Sequence, residues 1–285
     1  TDVTWRMTGS SQFGENNRHG HFWSGGAGWN IKNEPFMKNI SKHFDIFKVR
    51  GSLGYTGKVS FSPFQAITMY QYSNNYEYLY GIGAVPLAIG NIDLCWERTM
   101  NYNVGLDFGF FGNRLTGELD VFYRKEKDVL GSRTVTLPST YGQSLAAENY
   151  AERSWRGGEL TLRWTDRAAD GAIDYSVYGN LGYADDQWDV LDESAIYREG
   201  GALHDLSLVG KSPHRIIGLI ADHLLTDPAE VEALKAKGFK QYGRDPYLGG
   251  ILYKDTRSDG YVAGPDGKID SNDFQNVLSE NAKPR

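Results

Sequence analysis

The densest run of side chains with metal-seeking chemistry is Tyr253-Lys-Asp255-Thr-Arg-Ser-Asp259-Gly260, followed by Asp266-Gly267-Lys-Ile269-Asp270-Ser-Asn-Asp273. An EF-hand-like calcium loop wants carboxylates at positions one, three, five and twelve, with glycine at six. Counting from Asp255 puts Asp259 at five, Gly260 at six and Asp266 at twelve, but Arg257 stands at three. Counting so that Gly267 is six suits Asp266, Ile269, Asp270 and Asp273 and leaves Val262 and Gly264 where ligands belong. Neither frame is complete, and Asp/Gly turns also arise for reasons of backbone geometry alone. If Asp255, Asp259, Asp266, Asp270 and Asp273 converge, their charges repel unless a hard cation neutralises them, and oxygen-only ligands select Ca2+ over Zn2+. The block is therefore a candidate Ca2+ site that would order its segment without acting catalytically.

A second constellation is the series Tyr70, Tyr72, Tyr76, Tyr78 and Tyr80, whose rings could stack on sugars or peptide side chains. The same rings could equally pack their own loop or a partner, since aromatics are enriched at ordinary interfaces. Catalytic chemistry has little support. The six histidines show no metal-ligand spacing apart from His19 and His21, and no Gly-x-Ser-x-Gly elbow is present. No enzymatic activity and no further cofactor are expected. Glu97-Arg98, at a strand start, reads as a structural ion pair.

Composition narrows the classes. With 30 Lys+Arg against 36 Asp+Glu the net charge is −6, which lacks the basic footprint of a nucleic-acid binder. Aromatic residues make up 13% of the 285-residue chain, and 34 are glycine, so the chain is not of the disordered class. One cysteine, Cys95, excludes an intramolecular disulfide framework and a Cys-rich zinc site. No apolar run reaches the roughly 18 residues of a spanning helix. No signal peptide is expected, since Thr-Asp-Val-Thr-Trp-Arg lacks a basic region leading into an apolar core.

The elements that must position these residues are strands. Tyr102, Val104, Leu106, Phe108 and Phe110 alternate with Asn101, Asn103, Gly105, Asp107 and Gly109. Leu115 to Tyr123 repeats the pattern, and Gly112-Asn113 supplies the positive-φ residues of a tight hairpin. A second hairpin runs from Glu159–Thr165 through a turn at Asp170-Gly171 to Ile173–Tyr183, and a fainter pair joins Trp23–Ile31 to Val49–Thr56 around Glu34-Pro35. Thr226-Asp227-Pro228 opens a short loop helix, with Asp227 as N-cap and Gly238 closing it. Short links at 32–46, 111–114 and 166–172 alternate with long ones at 57–98, 125–157 and from 185 onward. That asymmetry is the pattern of an outer-membrane barrel. The expected fold is all-β, a section of a large antiparallel transmembrane β-barrel of about six strands in three hairpins. The alternative is a soluble β-sandwich carbohydrate-binding module, which would also alternate. One observation separates the two: the apolar face is bare in an isolated barrel wall and buried in a sandwich.

Several blocks resemble the SusC/RagA family of TonB-dependent outer-membrane transporters. They are Asn91-Ile-Asp-Leu-Cys-Trp96-Glu97-Arg-Thr-Met-Asn-Tyr-Asn103 through Tyr123, Trp29-Asn-Ile-Lys-Asn-Glu-Pro-Phe36, Val49-Arg-Gly-Ser-Leu-Gly-Tyr-Thr-Gly57 and Leu137-Pro-Ser-Thr-Tyr-Gly142, in family order from about residue 20 to about residue 275. The resemblance implies a plugged barrel of roughly 22 strands in the outer membrane of Bacteroidetes-type bacteria. It also implies nutrient import, of an oligosaccharide or glycan or of a peptide, with a SusD-like surface lipoprotein as lid and a TonB complex supplying energy. On this reading residues 1–285 are an interior part of the barrel domain, without plug, early strands or final strands. Residues 185–285 form a long extracellular loop region carrying the acidic block. The segments 57–98, 125–157 and 185–285 are expected outside, and Glu34-Pro35, Gly112-Asn113 and Asp170-Gly171 in the periplasm. The apolar face would meet outer-membrane lipid.

Overall fold

Period-two alternation becomes long antiparallel strands in the computed structural model, which describes residues 1–38, 44–78 (backbone only at 73–78), 81–134, 138, 140, 142, 145–168 and 173–279 (backbone only at 278–279). The chain divides into two units, at Asp192/Glu193.

The first unit is built on a seven-stranded sheet in the order β1 (Asp2–Gly9), β2 (His19–Asn30), β3 (Ile46–Lys58), β6 (Glu97–Phe110), β7 (Leu115–Gly131), β8 (Glu148–Ala168) and β9 (Ile173–Val190). Every neighbouring pair is antiparallel. A separate hairpin, β4 (Met69–Tyr78) with β5 (Gly81–Ala88), lies in the connection between β3 and β6. Register keeps each side chain on its face. Val49, Leu106, Leu119, Leu160 and Leu181 lie across five strands in one row. One residue over, Arg50, Gly105 and Asp120 lie on the opposite side. The β6–β7 turn has Gly112 at φ 69° and Asn113 at φ 64°, the left-handed pair that a two-residue hairpin turn of matching twist requires. The turn expected at Asp170-Gly171 lies outside the described residues.

The apolar face is bare. Val3 is 81% exposed, Val104 60% and Val177 63%, with Trp5, Tyr102, Val121 and Leu181 exposed beside them. Two aromatic rows bound this face. Trp23 stacks on Tyr55 at 6.4 Å and Tyr102 tilts against Tyr123 at 6.0 Å at one end. Phe108, Phe110, Phe111 and Trp164 follow one another at 5.8–6.4 Å at the other. Tyr102 to Phe110 spans about 27 Å along its strand, which at a barrel strand's tilt of roughly 40° is about 21 Å of height, near the roughly 25 Å apolar band of an outer-membrane barrel.

The strands exceed a membrane crossing. β7, β8 and β9 contain 17, 21 and 18 residues, against the roughly ten that a tilted strand needs. Much of the connection expected at 125–157 is therefore strand, as is the start of the one expected from 185. The strands expected, about six, are present as β2, β3, β6, β7, β8 and β9, and β1 adds a seventh to the sheet. Both edges of the sheet, β1 and β9, are open among the described residues.

The second unit begins at Glu193. Its pieces are short: β10 (Arg215–Gly218), β11 (Ala221–Leu224), α1 (Pro228–Ala236), β12 (Lys240–Gln241), β13 (Ile251–Tyr253), β14 (Arg257–Ser258), β15 (Val262–Ala263), β16 (Lys268–Ile269) and β17 (Gln275–Ser279). Leu225, Val231, Phe239 and Ile269 are buried. Helix α1 has the expected cap, with Asp227 accepting from Ala229 N at 2.9 Å and Gly238 at φ 73° just beyond its end. None of the described helices is long and apolar enough to cross a membrane.

Candidate functional site

At the end of the sheet that carries the long connections, one buried carboxylate joins three segments. Glu97, 2% exposed at the start of β6, accepts the Ser60 hydroxyl at 2.5 Å and Leu130 N at 2.8 Å. Its remaining charge faces Lys58 Nζ at 3.2 Å. Burying a carboxyl group without such partners is costly, and here hydroxyl, backbone N–H and ammonium supply them. The expected Glu97–Arg98 pair is not formed, because successive strand residues point to opposite faces; Arg98 pairs with Asp128 instead. Above Glu97, Phe13, Phe61 and Leu94 form a small core with Trp96 and Leu130 against it.

Two asparagines tie down the segment before β6. Asn149 accepts from Cys95 N at 2.9 Å and donates to Cys95 O and Asp128 O. Asn91 donates to Ala147 O at 2.9 Å. Between these anchors is a cleft of about 470 Å3 lined by Asn91, Asp93, Cys95, Glu148 and Asn149 among others. Burial pushes the Cys95 thiol up, away from the thiolate that a nucleophile requires.

The polar face of the sheet carries an ionic lattice. Arg50 donates to Asp107 and to Asp120, each at 2.8 Å. It lies over Gly105, where an added Cβ would come 2.7 Å from Asp120 Oδ1 and 2.9 Å from Arg50 Cζ. Nearer the long connections, the Arg153 guanidinium sits over Trp155 at 4.6 Å and Trp188 at 5.4 Å, and pairs with Asp186. Sequence reading missed this cluster because its members come from two strands and are joined only by register: Arg153 opposes Trp188, and Trp155 opposes Asp186.

Of the tyrosine series, Tyr70 is 69% and Tyr72 84% exposed on β4. They oppose Pro86 and Ala84, so both stand over small neighbours. Tyr76 and Tyr78 lie further along β4, and Tyr80 falls outside the described residues.

The acidic block serves its own backbone. Asp255 accepts from Asp266 N at 3.1 Å and Gly267 N at 2.7 Å. Asp266 accepts from Lys268 N at 2.9 Å, and Asp270 from Asn272 N at 2.7 Å. Asp259 faces Lys268 Nζ at 3.3 Å. Asp273, 1% exposed, accepts from Thr256 N, Arg257 N and Asp270 N at 2.7, 3.0 and 3.1 Å. Among the described residues, no group of three or more His, Cys, Asp and Glu side chains is placed to hold a metal ion. In the same unit His223 lies between two acids, with Nδ1 3.0 Å from Asp222 and Nε2 2.9 Å from Glu230.

The family model described as TonB dependent receptor-like, beta-barrel matches residues 2–271. The chain is similar to TonB-dependent receptor SusC of Bacteroides thetaiotaomicron, at 35% identity over 158 residues, covering 52% of this chain and 16% of that protein. It is also similar to TonB-dependent receptor P26 of Formosa agariphila, at 26% identity over 275 residues, covering 93% of this chain and 26% of that protein. Among solved structures, the RagAB peptide importer in its open-open state superposes with a TM-score of 0.71 at 22% identity, over 96% of this chain and 27% of the other. The closed-closed state gives 0.68 at 19% identity, over 96% and 28%. These structural matches establish a shared fold. The chain spans about a quarter or less of the length of these relatives.

Proposed function

Because the chain belongs to the TonB-dependent receptor β-barrel family, and so to an outer-membrane β-barrel, we propose that its seven-stranded sheet is part of the wall of a nutrient importer. The observation that carries this reading is the bare apolar face between two aromatic rows. A β-sandwich would have covered Val104, Val121 and Val177 with a second sheet, whereas a barrel wall presents them to lipid. The polar face, with Arg50, Asp107, Asp120, Arg153, Trp155 and Trp188, then lines the lumen.

The long-connection end is read as extracellular, and the Gly112-Asn113 turn as periplasmic. Rigid anchoring by Glu97, Asn91 and Asn149 suits loops that must hold their shape around a cargo. The exposed Tyr70 and Tyr72 are read as contacts for that cargo or for a SusD-like lipoprotein lid. Energy would come from a TonB complex acting on the whole receptor. The cargo class is an oligosaccharide or a peptide: SusC and the RagAB peptide importer are both among the proteins this chain resembles.

Purifying the whole receptor with its partners from its native membrane, then identifying bound ligand by mass spectrometry, tests the proposal. Recovery of a glycan or peptide that is lost in the Tyr70→Ala/Tyr72→Ala variant supports it. Recovery of the protein in the soluble fraction sinks it.

A further inference from the structure

On the polar face of the sheet, basic side chains are matched by acids: Lys48 and Arg50 by Asp107, Lys58 by Glu97 and Glu126, and Arg153 by Asp186. Arg124, exposed on β7, breaks that pattern. Among the described residues its guanidinium meets no carboxylate: Nε donates to Asn101 Oδ1 at 2.8 Å, and the group lies 5.9 Å from the Trp155 ring centre. These two contacts seat the guanidinium and leave the Nη1–Nη2 end of its fork for an acceptor. A cation held in place before its ligand arrives loses less freedom on binding.

Beside it the wall steps down. Register places Arg124 in one row with Asn101, Gly54 and Ser24, and the next row holds Asn103, Ser52 and Gly26. On β2 and β3 these rows carry nothing larger than serine. An added Cβ at Gly26 or Gly54 would find its nearest atom at 3.7 or 3.6 Å, an ordinary contact, so the glycines relieve no clash and leave a shelf of hydroxyls, amides and bare backbone. The shelf lies level with the aromatic row at the long-connection end, since Ser24, Gly54, Asn101 and Arg124 adjoin Trp23, Tyr55, Tyr102 and Tyr123 in the chain. Unpaired acids of this face stand off. Glu159 and Glu118 lie about 13–20 Å nearer the Gly112-Asn113 turn along their strands, and Asp2 is across the sheet on β1.

We propose that Arg124 and the adjoining shelf bind the carboxylate of an acidic oligosaccharide cargo. The planar fork meets a planar carboxylate end-on with two parallel hydrogen bonds. An oligosaccharide is favoured over an acidic peptide because the shelf offers amides, hydroxyls and backbone to a sugar's hydroxyls and no apolar pocket to a peptide's side chains. The inference narrows the importer reading and rests on this face lining the lumen, a point that thiol-reagent access at Asn103 tests separately.

The test incubates the whole receptor with its partners, in detergent, with oligosaccharides from polygalacturonate, alginate and hyaluronan, each intact and carboxyl-reduced, and with glutamate-rich peptides. Native mass spectrometry counts the bound molecules. Retention of an intact oligosaccharide and loss of its carboxyl-reduced form are expected. Arg124→Gln should weaken that retention about tenfold, and Arg124→Lys, which keeps the charge without the fork, by a smaller factor. Arg163→Gln, which removes a cation from the same face nearer the Gly112-Asn113 turn, should leave it unchanged. Heat-modified gel mobility reports folding of each variant. Equal retention of the reduced forms, retention of the peptides alone or of no oligosaccharide, wild-type retention by folded Arg124→Gln, or equal weakening by Arg163→Gln would overturn the proposal.

Discussion

Asp273 shows how a residue's role depends on what folds around it. Its type and spacing marked it as a ligand, yet its oxygens face three backbone N–H groups in a turn whose path needs positive φ at Gly260, Tyr261, Gly264 and Gly267. Those conformations cannot be read from a count of carboxylates, so the acidic block is legible in the sequence while the backbone hydrogen bonds its oxygens accept are not. Asp273→Ala should destabilise the second unit by about 2–4 kcal/mol, the cost of stranding buried donors, seen as faster hydrogen exchange across 255–274. The same measurement in millimolar calcium and in chelator tests the Ca2+ expectation: protection that rises with calcium would show a cation recruiting these carboxylates. His223 offers a pH handle. Each of its nitrogens faces a carboxylate, an arrangement that only the doubly protonated ring satisfies, and hydrogen bonds to Asp222 and Glu230 raise its pKa. A raised folded-state value contributes stability below the unfolded pKa of about 6.5 and loses it as pH rises through the folded value. Exchange protection of 221–236 should therefore fall as pH rises above about 6.5, and His223→Gln should flatten that dependence. An unchanged profile in the variant would contradict it.

At the scale of elements, the parts of the strands inside the two aromatic rows were legible because one face is apolar and the other is not. Beyond the rows the signal fades: Lys125 pairs with Glu152 on one side of the extended strands while Arg153 pairs with Asp186 on the other. With both faces polar there is no alternation to read, so the extensions of β7 and β8 looked like loop. The turn at Gly112-Asn113 was legible from residue type alone, whereas β1 escaped notice although Val3, Trp5 and Met7 alternate. Glycine inside a strand was visible but not its reason. At Gly105 the reason is the Arg50 side chain crossing to Asp120. Gly105→Val should push that guanidinium off its partners and cost about 1–3 kcal/mol, read as a lower guanidinium midpoint of the refolded barrel. Gly51, with open space around it, should tolerate alanine far better, and equal loss at both sites would refute the packing argument.

For the molecule as a whole, everything functional follows from which face of the sheet meets lipid. On the proposed reading, burial of aliphatic and aromatic area against a bilayer stands in for a larger core, since the buried cluster among the described residues of the first unit is the small one of Phe13, Phe61 and Leu94, and the ionic lattice on the other face meets water. The most direct test places single cysteines along β6, β7 and β9 of the whole receptor, in a Cys95→Ser background, and reads each in native outer membranes with a lipid-borne quencher and a water-soluble thiol reagent. Cysteines at Val104, Val121 and Val177 should contact the quencher and resist the reagent, while those at Asn103, Asp120 and Asn180 should do the reverse. Equal access at the two sets of positions, or shielding of Val104, Val121 and Val177 from quencher and reagent alike, would contradict the barrel-wall account.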